Sequence, residues 1–159
     1  IPKRKRMVKI SCAIQIQDIY FETTSGTRIS TLLSGQDFYV CMKYKKKIAE
    51  PIANVNVSIS MTNNDHAPLF LIHSRMTGDT MDFVNNEGVV KCQFRRLPLN
   101  QGVYNLSFSL MENNGQGGYI DQLEDAIKVN VEQGGFYKTG ELAPINFGQI
   151  IIDGNFTMF

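Results

Sequence analysis

The chain has 159 residues, of which 43% are hydrophobic and 19% are charged, with 16 basic side chains against 15 acidic ones. This composition is typical of one globular domain with a buried core, and it excludes a disordered chain. The near balance of charge disfavours a nucleic-acid binder, which usually carries a strong basic excess, and no apolar run reaches the roughly 18 residues of a membrane span.

The chain begins with the basic stretch Ile1-Pro-Lys-Arg-Lys-Arg6, which has no initiator methionine and no apolar signal-peptide core. We expect residues 1–7 to be the remnant of a linker from a longer polypeptide and residues 8–159 to form one domain. The basic stretch has two interpretations: a patch that faces phosphate or a membrane, or a solvated linker, which we favour.

Alternating apolar and polar residues predict short strands separated by turn signals such as Ser34-Gly35 and Asn63-Asn-Asp65. In chain order, the predicted strands are 7–17, 38–44, 54–61, 69–75, 88–94, 103–111 and 126–131. No segment has the pattern of a long amphipathic helix, and residues 119–125 are predicted to form a single turn. This series predicts an all-β fold, an immunoglobulin-like antiparallel β-sandwich.

Two of these strands combine an apolar face with a face of small, uncharged polar side chains. The polar positions are Asn56, Ser58 and Ser60 in one strand and Asn105, Ser107 and Ser109 in the other. A solvated face would usually carry longer charged side chains. If the two strands are neighbours, their amides and hydroxyls form a shallow surface that matches sugar hydroxyls. We therefore predict that this face binds carbohydrate.

His73 and Arg75 come at the end of the predicted strand 69–75. If this strand pairs with 54–61, both side chains reach the polar face, where Arg75 would bind a carboxylate or phosphate on a terminal sugar. The alternative is that the face is an ordinary sheet surface and that Arg75 forms a surface ion pair.

Motifs of nucleotide binding, nucleophilic catalysis and metalloproteases are absent from the sequence. We identify no pair of carboxylates that would serve a glycosidase. Asp65-His66 leaves a metal site open, although turn histidines are more often plain surface residues. We therefore expect no enzymatic activity, no metal and no cofactor.

Three cysteines are present, and they cannot all pair. Cys12 and Cys92 fall in the apolar phase of their strands, whereas Cys41 falls in the polar phase and is expected to be exposed. Free thiols in a core indicate a reducing compartment, usually the cytosol.

The C-terminal part combines a glycine-containing connection, residues 133–140, with the apolar segment 144–159. An apolar segment of this kind would aggregate in water unless it were covered. We expect residues 143–159 to form a C-terminal strand, which either completes its own sandwich or is exchanged with a second copy in a dimer.

Three motifs occur in an order and spacing that are more specific than any one of them alone: Gly35-x-x-Phe38-x-Val40, Leu97-Pro-x-x-x-Gly-x-Tyr104 and Tyr119-x-Asp121. In these motifs the chain resembles the C-terminal carbohydrate-binding domain of the ATP-binding subunit of O-antigen ABC transporters, the Wzt family. The similarity covers roughly residues 8–155.

The resemblance implies a cytoplasmic module at the inner face of the bacterial inner membrane that recognises the non-reducing end of an O-polysaccharide. It also implies a homodimer with an exchanged C-terminal strand, and the transporter's ATPase domain and transmembrane permease as partners. Two alternatives remain: a structural or oligomerising sandwich that binds no sugar, and an enzyme that acts on glycans.

Overall fold

The computed structural model describes residues 11–159, so the predicted linker and the start of the predicted strand 7–17 lie outside the described residues. The strands are β1 Ile14–Thr23, β2 Arg28–Ile29, β3 Thr31–Leu33, β4 Phe38–Lys46, β5 Asn56–Thr62, β6 Pro68–His73, β7 Glu87–Phe94, β8 Gly102–Met111 and β9 Tyr119–Glu132. One short helix, α1 Ser74–Thr77, follows β6, and 3-10 turns occur at Asn113–Gly115 and Ile145–Phe147. None of the helices within residues 11–159 is long and apolar enough to cross a membrane.

The strands form two sheets, as predicted for a β-sandwich. The first sheet has the order β2-β1-β4-β7, and the second has the order β3-β9-β8-β5-β6. Within the described residues, every strand pairing is antiparallel except that of β3 with β9. The predicted proximity of β5 and β8 is confirmed, because they are hydrogen-bonded neighbours in the second sheet.

The core lies between the sheets and follows the period of two that strands impose. From the second sheet it receives Val57, Ile59 and Met61 of β5, together with Leu106, Phe108 and Leu110 of β8. From the first sheet it receives residues that include Ile19, Phe21, Val40 and Met42. Burying one such side chain contributes roughly 1.5–3 kcal/mol. The alternation therefore fixes which face of each strand packs against the other sheet.

Tyr104 anchors the start of β8. Its ring is buried, and its hydroxyl donates a hydrogen bond of 2.7 Å to the carbonyl oxygen of Asn100. Burial raises the pKa of the Tyr104 hydroxyl above its usual value. A buried tyrosine that bonds back to the chain a few residues upstream is typical of immunoglobulin-like sandwiches.

Four local predictions were wrong. The predicted strand 7–17 corresponds to β1, which begins at Ile14 within the described residues and continues to Thr23. Residues 119–125 belong to β9 rather than to a turn, because they pair with the end of β8. The predicted strand 69–75 ends at His73, since α1 begins at Ser74. Cys41 is buried rather than exposed, and its strand neighbours are Tyr20 and Lys91. This burial raises the pKa of the Cys41 thiol to about 11.

The C-terminal segment forms no strand within the described residues, apart from a single bridge between Leu99 and Ile150. The amide of Ile151 donates to the carbonyl oxygen of Pro98 at 3.0 Å, and the Ile151 side chain is buried. Beyond this anchor, three large apolar side chains are fully exposed: Phe156, Met158 and Phe159. The exchange of this segment with a second copy stays a prediction.

Candidate functional site

The outer face of the second sheet carries the predicted rows of serines. Ser58 lies directly opposite Ser109, and Ser60 lies directly opposite Ser107. These four side chains point away from the core because their neighbours along each strand are buried. The hydroxyls of Ser58 and Ser109 are hydrogen-bonded to each other across the two strands.

A shallow depression of about 400 Å³ is located on this face, where β5, β8 and β9 meet the turn between β5 and β6. Polar and charged side chains line it: Ser60, Thr62, His66, Ser107, Gln122, Glu124 and Asp125. A depression of this kind has hydrogen-bonding groups on several sides, which suits a ligand rich in hydroxyls.

An irregularity in the pairing of β8 with β9 shapes one wall of the depression. Leu106 pairs with Ile127 and Phe108 pairs with Leu123, so that residues 124–126 oppose Ser107 alone. Asp125 has a positive φ of 46°, and its amide donates a hydrogen bond of 2.9 Å to Ser107 Oγ. A bulge changes the direction of the side chains in its strand, and here Glu124 and Asp125 of β9 lie at the rim of the depression.

The turn between β5 and β6 forms the opposite wall. Asn63 Oδ1 accepts hydrogen bonds of 2.9 Å from the amides of Asp65 and Ala67, which holds the turn in shape. His66 adopts a positive φ of 60°, and its Nδ1 lies 3.3 Å from Asp125 Oδ2. His66 and Asp125 therefore link the two walls across the rim, and both have the left-handed backbone conformation that is uncommon outside glycine.

Thr62 contributes an unsatisfied polar atom to the depression. Its Oγ1 is buried and has no hydrogen-bond partner within the part of the chain that the structure describes. A buried hydroxyl without a partner costs about 1–3 kcal/mol of stability.

The two predicted asparagines support neighbouring loops instead of facing solvent. Asn56 is buried, and its Oδ1 accepts hydrogen bonds from Ser74 Oγ at 3.3 Å and from the amide of Arg75 at 3.2 Å. Asn105 is buried as well, and its Nδ2 donates to the carbonyl oxygen of Asn63 at 3.2 Å. Asn56 therefore holds α1, and Asn105 holds the turn that walls the depression.

The structure places His73 and Arg75 away from the depression. His73 caps α1 through a hydrogen bond of 3.3 Å from the Met76 amide to His73 Nδ1. It lines a separate cleft of about 510 Å³ between the open edges of β6 and β7. Arg75 lines a small hollow of about 110 Å³ together with Asp79.

Five lining residues were missed by sequence reasoning: Thr62, His66, Gln122, Glu124 and Asp125. Thr62 continues the polar phase of β5, and Gln122 and Glu124 flank the buried Leu123. The alternation of apolar and polar residues could therefore have identified these three residues. For His66, the sequence left a metal ligand or, more often, a plain surface residue as the alternatives. Among residues 11–159, no group of three or more potential ligand side chains is placed to hold a metal ion.

Comparison with solved structures identifies one that shares the fold of this chain. Over 92% of this chain and 84% of the other, the structure matches the crystal structure of the C-terminal domain of Wzt, with a TM-score of 0.73 and 20% identity. A Niemann-Pick type C2 protein from Japanese carpenter ant matches with a TM-score of 0.49 and 12% identity, over 79% of this chain and 100% of that one. A beta-glucuronidase from Bacteroides uniformis matches with a TM-score of 0.46 and 9% identity, over 65% of this chain and 12% of that one. The last two similarities are too weak to support any inference.

Sequence comparison gives a more specific result. A search of curated proteins finds no match. The family described as the Wzt C-terminal domain matches residues 11–142, which include the nine strands found in the part of the chain that the structure describes. The match covers most of the chain and agrees with the resemblance seen in its motifs. The chain therefore belongs to the Wzt C-terminal domain family.

Proposed function

We propose that this domain is a non-catalytic module that binds the non-reducing terminus of an O-antigen polysaccharide for export by an ABC transporter. Membership in the family supports a carbohydrate-binding domain of an O-antigen transporter in general. The observation that carries the binding site is the depression of about 400 Å³ on the outer face of the second sheet, which is lined by polar and charged side chains. Ser60 and Ser107 are the residues predicted from sequence that line it, and Ser58 and Ser109 extend the same face.

The proposal includes the partners and the location that the family resemblance implies. The domain would act in the cytoplasm, at the inner face of the bacterial inner membrane, together with the transporter's ATPase domain and permease. It would work as a homodimer.

Binding at this site is expected to be weak. Each hydrogen bond to a sugar replaces one to water, and its net contribution is about 1 kcal/mol. Four or five such bonds contribute about 4–5 kcal/mol, which corresponds to dissociation constants of about 0.2–1 mM before the cost of association is subtracted. A dimer that engages two chain ends would raise the apparent affinity.

A second function, oligomerisation without sugar binding, is favoured by one observation. Phe156, Met158 and Phe159 form an exposed apolar end that a second copy would cover. Under this alternative, added sugars do not bind to the outer face of the second sheet and do not change its amide chemical shifts.

The first test fills the depression. Ser60 lies on the outer face and is partly exposed, so Ser60→Tyr adds a ring to the depression without entering the core. We expect this variant to lose at least about tenfold in affinity for O-polysaccharide, as measured by calorimetry or by amide chemical shifts.

The matched control is Ser30→Tyr, which adds the same ring at an exposed position between β2 and β3. We expect Ser30→Tyr to bind like the unaltered chain. Unchanged binding by a folded Ser60→Tyr variant would show that the depression is not the sugar site.

A further inference from the structure

The depression carries negative charge on one wall. Glu124 and Asp125 are the two carboxylates that line it, and no Lys or Arg lines it among the described residues. The one residue there that can become cationic is His66, and it already contacts Asp125.

The Glu124 carboxylate is available to a ligand. Within residues 11–159, no hydrogen bond or salt bridge engages it. Leu123, the preceding residue of β9, is buried, so Glu124 points to the outer face, where the depression lies. A carboxylate accepts hydrogen bonds from hydroxyls and ammonium groups but cannot donate one when it is ionised.

Neither Lys128 nor Arg75 lines the depression. Lys128 is exposed on β9 opposite Asn105, beyond the irregular pairing. Arg75, which the sequence suggested for a carboxylate or phosphate, lines a different hollow beside Asp79. Among the described residues that line the depression, an anionic sugar would therefore meet two carboxylates and one basic side chain, His66.

We propose that the depression selects a terminal sugar without negative charge, either a neutral sugar or an amino sugar, and rejects sugars that carry a carboxylate or phosphate. The proposal rests on the proposed function and names the chemical class of its ligand. Glu124 accepts hydrogen bonds from hydroxyls or from a protonated amine of this sugar. The Ser60 hydroxyl binds one of its remaining polar groups.

The test compares three methyl glycosides of one ring stereochemistry: a hexosamine, a hexose and a hexuronic acid. The series is repeated for the gluco, galacto and manno forms, since the geometry of the natural ligand is not assumed. The amide chemical shifts of Ser60, Thr62, Ser107 and Gln122 in the full chain report binding at the depression. In a series that binds, we expect the hexuronic acid to bind about tenfold more weakly than the hexosamine, with the hexose between them.

Two further measurements connect this preference with Glu124. Glu124→Gln keeps the shape of the side chain and removes its charge, so we expect the difference between hexosamine and hexuronic acid to shrink to about threefold or less. Glu132→Gln removes an exposed charge from the end of the same strand, outside the depression, and should leave the difference unchanged. In the unaltered chain, about 1 M salt should also reduce the difference, because it screens surface charges.

The outcomes separate the two proposals. A hexuronic acid that binds at the depression as tightly as the hexosamine would overturn the charge preference and leave the proposed function standing. A preference that survives both Glu124→Gln and high salt would overturn the role of the carboxylates. If O-polysaccharide and all nine glycosides leave the four amide signals unperturbed, the proposed function fails and this inference fails with it.

Discussion

Single residues of the polar face differ in role although the sequence presents them as equivalent. Ser60 and Ser107 line the depression, whereas Asn56 and Asn105 are buried and hold neighbouring loops. Alternation along a strand predicts which side of the sheet a residue faces. It does not show whether a loop from elsewhere in the chain covers that side, and α1 covers Asn56. This is why the sequence predicted the face correctly but not the set of residues free to bind.

Asp121 is a second residue whose role depends on a distant partner. It is buried in β9, and its Oδ2 accepts a hydrogen bond of 2.8 Å from the amide of Ile16, at the bulge in β1. The bond joins the two sheets, and we predict that Asp121→Ala lowers the free energy of unfolding by about 2–3 kcal/mol. Asp121→Asn keeps an acceptor and should cost less. Urea unfolding measures both changes.

The control for this prediction is Asp65→Ala, which removes an exposed carboxylate from a turn. Asp65 takes part in the hydrogen bonds of that turn through its backbone amide and not through its carboxylate. We expect a change below about 0.5 kcal/mol there. An equal, small effect at both positions would show that the Asp121 bond contributes little to the stability of the sandwich.

Among the elements, those with strict alternation were predicted nearly to their ends. The structure has β4 at Phe38–Lys46, β7 at Glu87–Phe94 and β8 at Gly102–Met111, each within two residues of its prediction. The first half of β9 was missed because its polar composition, Asp121-Gln-Leu-Glu-Asp125, is typical of a turn. Pairing with β8 and burial of Asp121 override that local preference. Such long-range terms are not visible in a short window of sequence.

The C-terminal segment is an element whose anchor depends on pH. Arg96 donates a hydrogen bond of 2.8 Å to Asp153 Oδ2, and this bond lowers the pKa of Asp153 below its usual 3.8. A carboxylate with a lowered pKa stabilises the anchored state at neutral pH, and this contribution is lost as the pH falls through the folded-state pKa. We therefore predict that the segment stays anchored near pH 5 and loosens only as the pH falls below 3.8, the usual pKa of this carboxyl.

Hydrogen exchange of the Ile151 amide measures this anchor, because that amide donates to the carbonyl oxygen of Pro98 and lies two residues before Asp153. Its protection should fall between about pH 5 and pH 2.5 by more than that of a core amide such as Ile59. Asp153→Asn should show weaker protection at pH 5 and no such additional fall. Protection that follows the core amides at every pH would contradict the prediction.

At the scale of the whole molecule, the exposed end of the chain is the feature that the isolated sandwich leaves unexplained. Phe156, Met158 and Phe159 have no cover, although the preceding Ile151 is buried against the same domain. Burying three such side chains stabilises an assembly by roughly 5–9 kcal/mol before the cost of association is subtracted. An exposed apolar end of this kind supports the proposed homodimer with its exchanged C-terminal segment.

We therefore predict that the full chain is dimeric in analytical ultracentrifugation and that deleting Asn155–Phe159 yields a folded monomer. The deletion keeps Asp153 and the bonds that anchor residues 149–151, so the sandwich should retain its stability in urea. Val84→Ser, which removes an exposed apolar side chain from the loop before β7, is the control and should leave the dimer intact. The prediction assigns the association of the two copies to this segment alone. It would be contradicted by a full chain that is monomeric at about 100 μM, or by a truncated chain that still dimerises.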